Sequence, residues 1–217
     1  KQELLPVSYL HLVFTIPHEL DTMVLSNDRL LYSILFKAVW QTVNQLAKDK
    51  RWLGAQTGMI AVLHTWGSNL SLHPHLHCIL PCGGLNKSGK WIATRKKRFF
   101  APNKSVIAPL FRAHFLRLLR TAFEEEQLVF YGESVTYQEV DKLRKLFQTL
   151  AKKKWVVYAK RPFGGPAKII NYLSRYTHRI AISNQRIVKV SNGEVVFSYK
   201  KFLKFCMSFG IIGKGYS

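Results

Sequence analysis

The chain has 217 residues, 47% of them hydrophobic and 13% aromatic, enough for one sizeable core. Its 33 Lys and Arg outnumber 12 Asp and Glu, giving a net charge of +21, and a self-repelling excess of that size calls for a polyanionic partner. The composition argues against a helical membrane protein, since no apolar run approaches the roughly 20 residues that cross a bilayer. It also argues against a disulfide scaffold: Cys78, Cys82 and Cys206 are odd in number, lack metal-type spacing, and read as reduced thiols of a cytosolic protein.

In chain order, residues 9–16 (YLHLVFTI) form a short apolar run closed by Pro17 and read as a buried strand. Ser26 or Asn27 can cap a helix in which Leu31, Ile34, Leu35, Ala38, Thr42 and Leu46 recur at helical spacing. Residues 58–66 predict a second strand, with turn chemistry at Gly67, Ser68 and Asn69. A third strand is expected over 75–81, ended by Gly83 and Gly84, and a fourth over 91–94. Helical patterning returns over 106–126 and 138–150, followed by a buried strand over 155–159. Pro162, Gly164, Gly165 and Pro166 break the chain before a short helix at 167–177, and 187–199 reads as a hairpin around Asn192-Gly193. Strands and helices that do not alternate strictly predict an α+β fold, with helices packed on a central, largely antiparallel sheet. The whole chain, 1–217, is expected to be one domain cut from a longer protein, since it opens at Lys1 without Met.

The most informative residues are His73-Pro74-His75-Leu76-His77-Cys78. On a strand, His75 and His77 face the same way, about 7 Å apart, with Leu76 on the opposite side. Two such imidazoles can share one divalent cation and leave positions open for substrate oxygens, the arrangement of a catalytic site. His64 is the best third ligand, because antiparallel pairing of the two strands brings it opposite His75 or His77. His73 is the alternative, although it precedes Pro74 and is expected in the loop.

A second constellation is Asn171-Tyr172-Leu173-Ser174-Arg175-Tyr176-Thr177-His178. On a helix Tyr172 and Tyr176 are an i,i+4 pair, with Lys168 one turn earlier and Arg175, His178 and Arg179 nearby. A phenol of pKa about 10 is a poor nucleophile near neutrality. Neighbouring cations favour the phenolate, and a metal on a phosphate would make phosphorus more electrophilic. Basic residues also run into aromatics: Arg95-Lys96-Lys97-Arg98 before Phe99-Phe100, Lys152-Lys153-Lys154 before Trp155, Lys160-Arg161 before Phe163, and Lys200-Lys201 before Phe202. Cations beside rings suit single-stranded nucleic acid.

The histidine–hydrophobe–histidine strand, His75-Leu76-His77, and the pair Tyr172-x-x-x-Tyr176 together resemble the HUH endonuclease superfamily, specifically its two-tyrosine insertion-sequence transposases. VLHTWGSNLSLHPHLHCILPCGGL (62–85), WVVYAKRPFGGP (155–166) and NYLSRYTHRIAIS (171–183) look like signatures of that group, in its order. The resemblance implies a ferredoxin-like fold with the histidine strand in the middle of the sheet. It implies Mg²⁺ or Mn²⁺ held by His75 and His77. It also implies attack of Tyr172 and Tyr176 on single-stranded DNA at transposon ends and target, through a 5′-phosphotyrosine, in a bacterial, cytoplasmic, nucleoid-associated protein. Lys168, Arg175, Arg179, Arg95, Lys96, Lys97, Arg98, Lys160 and Arg161 are the expected DNA contacts. Two rivals are a non-catalytic single-strand-binding module and a plasmid relaxase or replication initiator.

Overall fold

A computed structural model describes residues 4–67, 69–94, 104–163, 184–191, 194–202 and 207–211. Strand β1 (Tyr9–Thr15) is followed by helices α1 (Asp21–Ser26) and α2 (Asp28–Lys48), then by β2 (Ile60–Trp66) and β3 (Leu72–Pro81). A small hairpin follows, β4 (Gly83–Leu85) and β5 (Trp91–Ala93), then helices α3 (Lys104–Glu124) and α4 (Val140–Lys152) and strand β6 (Val156–Phe163). Strands β7 (Ile187–Ser191), β8 (Glu194–Phe202) and β9 (Met207–Ile211) form a separate antiparallel sheet, and β7 and β8 make the hairpin expected there.

The main sheet has the order β2-β3-β1-β6, and each neighbouring pair is antiparallel. Strand, helix, two strands, helices, strand, with the third strand inserted between the first two, is the ferredoxin-like arrangement. The α+β expectation therefore holds. The histidine strand β3 sits inside the sheet, paired on both edges.

Alternation along these strands sorts the side chains into two populations. Leu10, Leu12 and Phe14 of β1, Leu76, Cys78 and Leu80 of β3, and Val157 of β6 belong to the core. Helix α2 presents Leu31, Ile34, Leu35, Ala38, Val39, Val43 and Leu46 to that core at the 3.6-residue spacing. An aromatic cluster welds α3 to the sheet. Phe111 meets Phe14 edge-on at 5.1 Å and Trp155 at 5.2 Å, and Phe115 lies 5.2 Å from Trp155. The intervening residues, including His11, His64, His75 and His77, lie on the opposite face.

Several sequence expectations need correction. Strand β3 begins at Leu72, so His73 and Pro74 lie in the strand rather than in a loop. Likewise β6 continues past Ala159 to Phe163 and takes in Pro162. Both prolines are tolerated for one reason. The pairing shifts by a residue between His64 and Trp66 against β3, and between Tyr9 and His11 against β6, with the extra residue in the proline-bearing strand. A proline has no N–H for the ladder, and a bulge is where that loss is harmless. Helix α1 and a 3-10 segment at Gly132–Gln138 were not expected.

Asn27 does precede α2, but its side chain makes no cap bond. Its amide instead donates to the Met23 and Val129 carbonyls, and its Oδ1 accepts from the Val129 N–H at 2.8 Å. A buried amide that can clamp a distant backbone on both edges satisfies more polar atoms there than a cap would. Trp155 is buried, as the apolar run 155–159 leads one to expect: it is 6% exposed and its indole N–H donates to the Leu150 carbonyl. Lys153 beside it is engaged by Glu19. Among the described residues no helix is long and apolar enough to cross a membrane.

Candidate metal centre on the sheet

The register of β2 and β3 places His64 directly opposite His75, with His77 two residues along on the same face. The three ring centroids are 4.6–5.3 Å apart. One nitrogen from each ring lies within 4.8 Å of the other two, a spacing that a single cation can bridge. His64 is 5% exposed and His77 9%, whereas His75 is half-buried, so the cluster is shielded on two sides and approachable at His75. Trp66, two residues beyond His64, stacks parallel to its ring at 6.2 Å and restricts its orientation.

His75 has a defined tautomer. Its Nδ1 lies 2.6 Å from the His73 carbonyl oxygen. A carbonyl only accepts, so Nδ1 carries the hydrogen and Nε2 keeps its lone pair for a metal. His73 contributes through its backbone alone: its ring is 5.2 Å from that of His75 but outside the triad. His64 is therefore the histidine that completes the cluster. Three imidazoles fit a divalent cation, and they suit Mn²⁺ better than the oxygen-seeking Mg²⁺.

Asp21, at the start of α1, is a carboxylate with a perturbed proton affinity. Burial raises its pKa, and the charges of His18 and His73 oppose that rise. It is not a member of the cluster.

Sequence reasoning missed one residue on this face. His11 of β1 is 2% exposed, and its Nε2 lies 3.0 Å from His77 Nδ1. It was hidden in an apolar strand run, where its signal was a single polar side chain at a position that alternation assigns to the sheet face away from the helices. Of the expected DNA contacts, Lys160 and Arg161 lie on β6, and Lys160 is the β6 partner of His11. Tyr172, Tyr176, Lys168, Arg175, Arg179, Arg95, Lys96, Lys97 and Arg98 lie outside the described residues.

Residues 58–204 match the Y2_Tnp family model, described as "Putative transposase", a span that holds all three clustered histidines and both tyrosines. The chain belongs to this transposase family. It is similar to "Putative transposase y4qJ" of Sinorhizobium fredii, 44% identical over 203 residues, covering 93% of this chain and 50% of that one. It is also similar to the transposase for insertion sequence element IS801 of Pseudomonas savastanoi pv. phaseolicola, 27% identical over 193 residues, covering 87% and 44%. This member of the transposase family thus spans about half the length of the curated relatives it matches. Among solved structures it is similar to the conjugative relaxase TrwC in complex with oriT DNA, at 15% identity and a TM-score of 0.40, covering 53% of this chain and 43% of that one. A complex of TrwC with mutant oriT DNA aligns at 12% identity and a TM-score of 0.39, covering 79% and 75%.

Proposed function

We propose that this chain is the catalytic core of a transposase that nicks and transfers single-stranded DNA in rolling-circle transposition. One observation carries the reading: in a member of a transposase family, three histidines converge on one point of a ferredoxin-like sheet with at least one Nε2 lone pair set for a cation. A bound Mn²⁺ or Mg²⁺ would withdraw charge from the scissile phosphate. His64, His75 and His77 would hold that ion.

The tyrosine hydroxyls of Tyr172 and Tyr176 are the nucleophiles. The phenol oxygen forms a bond to phosphorus as the bond from phosphorus to the 3′-oxygen breaks. The products are a 5′-phosphotyrosine and a free 3′-OH, and the phenol proton ends on the 3′ side. Two tyrosines permit two successive transfers. The cationic side chains of Lys168, Arg175 and Arg179 favour the phenolate. Arg95, Lys96, Lys97, Arg98, Lys160 and Arg161 track the DNA backbone. The setting of this activity is the bacterial cytoplasm, at the nucleoid.

The deciding experiment incubates the chain with single-stranded DNA carrying candidate element ends, in Mn²⁺ or in EDTA, and maps any covalent peptide–DNA adduct by mass spectrometry. The expected result is a metal-dependent adduct on Tyr172 or Tyr176 that His75→Ala abolishes. Tight single-strand binding with no adduct would support the non-catalytic binding module instead. Replacing Lys96 and Lys97 with Ala is expected to weaken binding and flatten its salt dependence.

A further inference from the structure

His11 is an unusual occupant of its position. It lies in a strand whose neighbouring residues Leu10 and Leu12 are core, and it is itself 2% exposed. Its direct strand partners are Ile79 on β3 and Lys160 on β6. His77 is its diagonal neighbour, and the two imidazoles lie nearly parallel, 6° apart, with centroids separated by 5.3 Å. The 3.0 Å contact joins His11 Nε2 to His77 Nδ1.

We propose that His11 is a positioning residue of the metal centre, holding His77 in the tautomer that puts a lone pair rather than a hydrogen on its Nε2. The inference rests on the reading of His64, His75 and His77 as a metal site. Two neutral imidazoles share one hydrogen across such a contact, so one ring donates and the other accepts. If His77 donates from Nδ1, its Nε2 carries a lone pair, in the same state that the His73 carbonyl imposes on His75. If His11 donated instead, His77 would hold a hydrogen on Nε2 and could not ligate through it. His11 stands on the Nδ1 side of His77, outside the trio whose nitrogens converge within 4.8 Å, so it orients a ligand rather than acting as a fourth one. Outer partners of this kind set both the ring angle and the tautomer of a ligating histidine.

Two measurements test the assignment. Long-range ¹⁵N–¹H spectra of the metal-free chain, taken at a pH above the imidazole titration range, read the tautomer directly. His77 is expected as the Nδ1–H form in the wild type and in His11→Gln, whose amide oxygen can accept the same hydrogen, and as a mixture in His11→Leu. Mn²⁺ titration followed by electron paramagnetic resonance should show His11→Leu losing about 10- to 100-fold in affinity, with His11→Gln recovering most of it. Thermal melts of each variant confirm folding. Should His11→Leu fail to fold, the wild-type and His11→Gln spectra still decide. An Nε2–H tautomer at His77 in the wild type, or a folded His11→Leu that binds Mn²⁺ as tightly as the wild type, overturns the proposal. A folded wild-type chain that takes up no Mn²⁺ removes the metal centre itself, whatever the tautomer of His77, and the role of His11 with it.

Discussion

The two faces of the main sheet are built from the same strands and share almost nothing else. One face carries Leu10, Leu12, Phe14, Leu76, Cys78 and Leu80 into a core closed by α2 and α3. The other carries His11, His64, His75 and His77, joined by ring contacts and a nitrogen–nitrogen hydrogen bond. Neighbouring residues on β3 therefore face different surroundings: Leu76 packs in the core, while His75 and His77 belong to a cluster that could hold a cation. The contrast teaches that stability and chemistry can be separated at single-residue resolution when a strand is buried on both sides.

That separation can be broken by substitution. Leu76 is fully buried, and Leu76→Ala is expected to cost about 2–5 kcal/mol in denaturant unfolding, with Mn²⁺ affinity little changed while the chain stays folded. His75→Ala should do the reverse. Stability should move by no more than about 1 kcal/mol, while Mn²⁺ affinity falls by more than the roughly 10- to 100-fold that loss of an outer partner costs. If His75→Ala unfolds the chain, or Leu76→Ala abolishes ion binding in a folded protein, the two faces are not independent.

A smaller effect sharpens the helix side. Burial pushes the Glu19 carboxyl up, but the hydrogen bond and charge of Lys153, together with the nearby His18, outweigh it and hold the group below its ordinary value. A depressed carboxylate stabilises the fold above its unfolded pKa, and the contribution is lost as pH falls through the folded one. Lys153→Met should therefore unfold more easily than the wild type at neutral pH, by up to about 1 kcal/mol for a partly exposed pair. The gap should close as the solution is acidified below the carboxylate range; a gap constant with pH would assign the loss to packing instead.

The smallest expected signal is chemical. Burial drives the Cys78 thiol far up and pushes that of Cys82 up to about 12. Neither should be alkylated by iodoacetamide in the native state, as peptide mass spectrometry would record, and rapid labelling of Cys78 would mean that the core face opens.

Much of this was legible in the sequence. His-x-His on a strand fixes two histidines on one face by geometry alone, and a turn-rich connection then places His64 across from them. The α+β architecture followed from where the apolar spacing changes period. What escaped has a common cause: it depends on partners far along the chain. Asn27 looks like a helix cap until Val129 is seen against its amide. Pro74 and Pro162 look like strand ends until the neighbouring strands accommodate a bulge. His11 looks like a stray polar residue until β3 sets His77 beside it.

The alternation along β1, β2 and β3 also carries a rule of parity. On β3 the odd-numbered His75 and His77 belong to the histidine cluster and the even-numbered Leu76, Cys78 and Leu80 to the core; on β2 the clustered residue is the even-numbered His64, and on β1 the core residues are even and His11 is odd. Inserting or deleting one residue inside any of these strands exchanges the two sets beyond that point. Histidines would then turn into the core and leucines onto the opposite face. A two-residue change keeps each set on its own side and only slides it along the sheet. Deleting one or three residues from β3 should therefore damage folding more than deleting two.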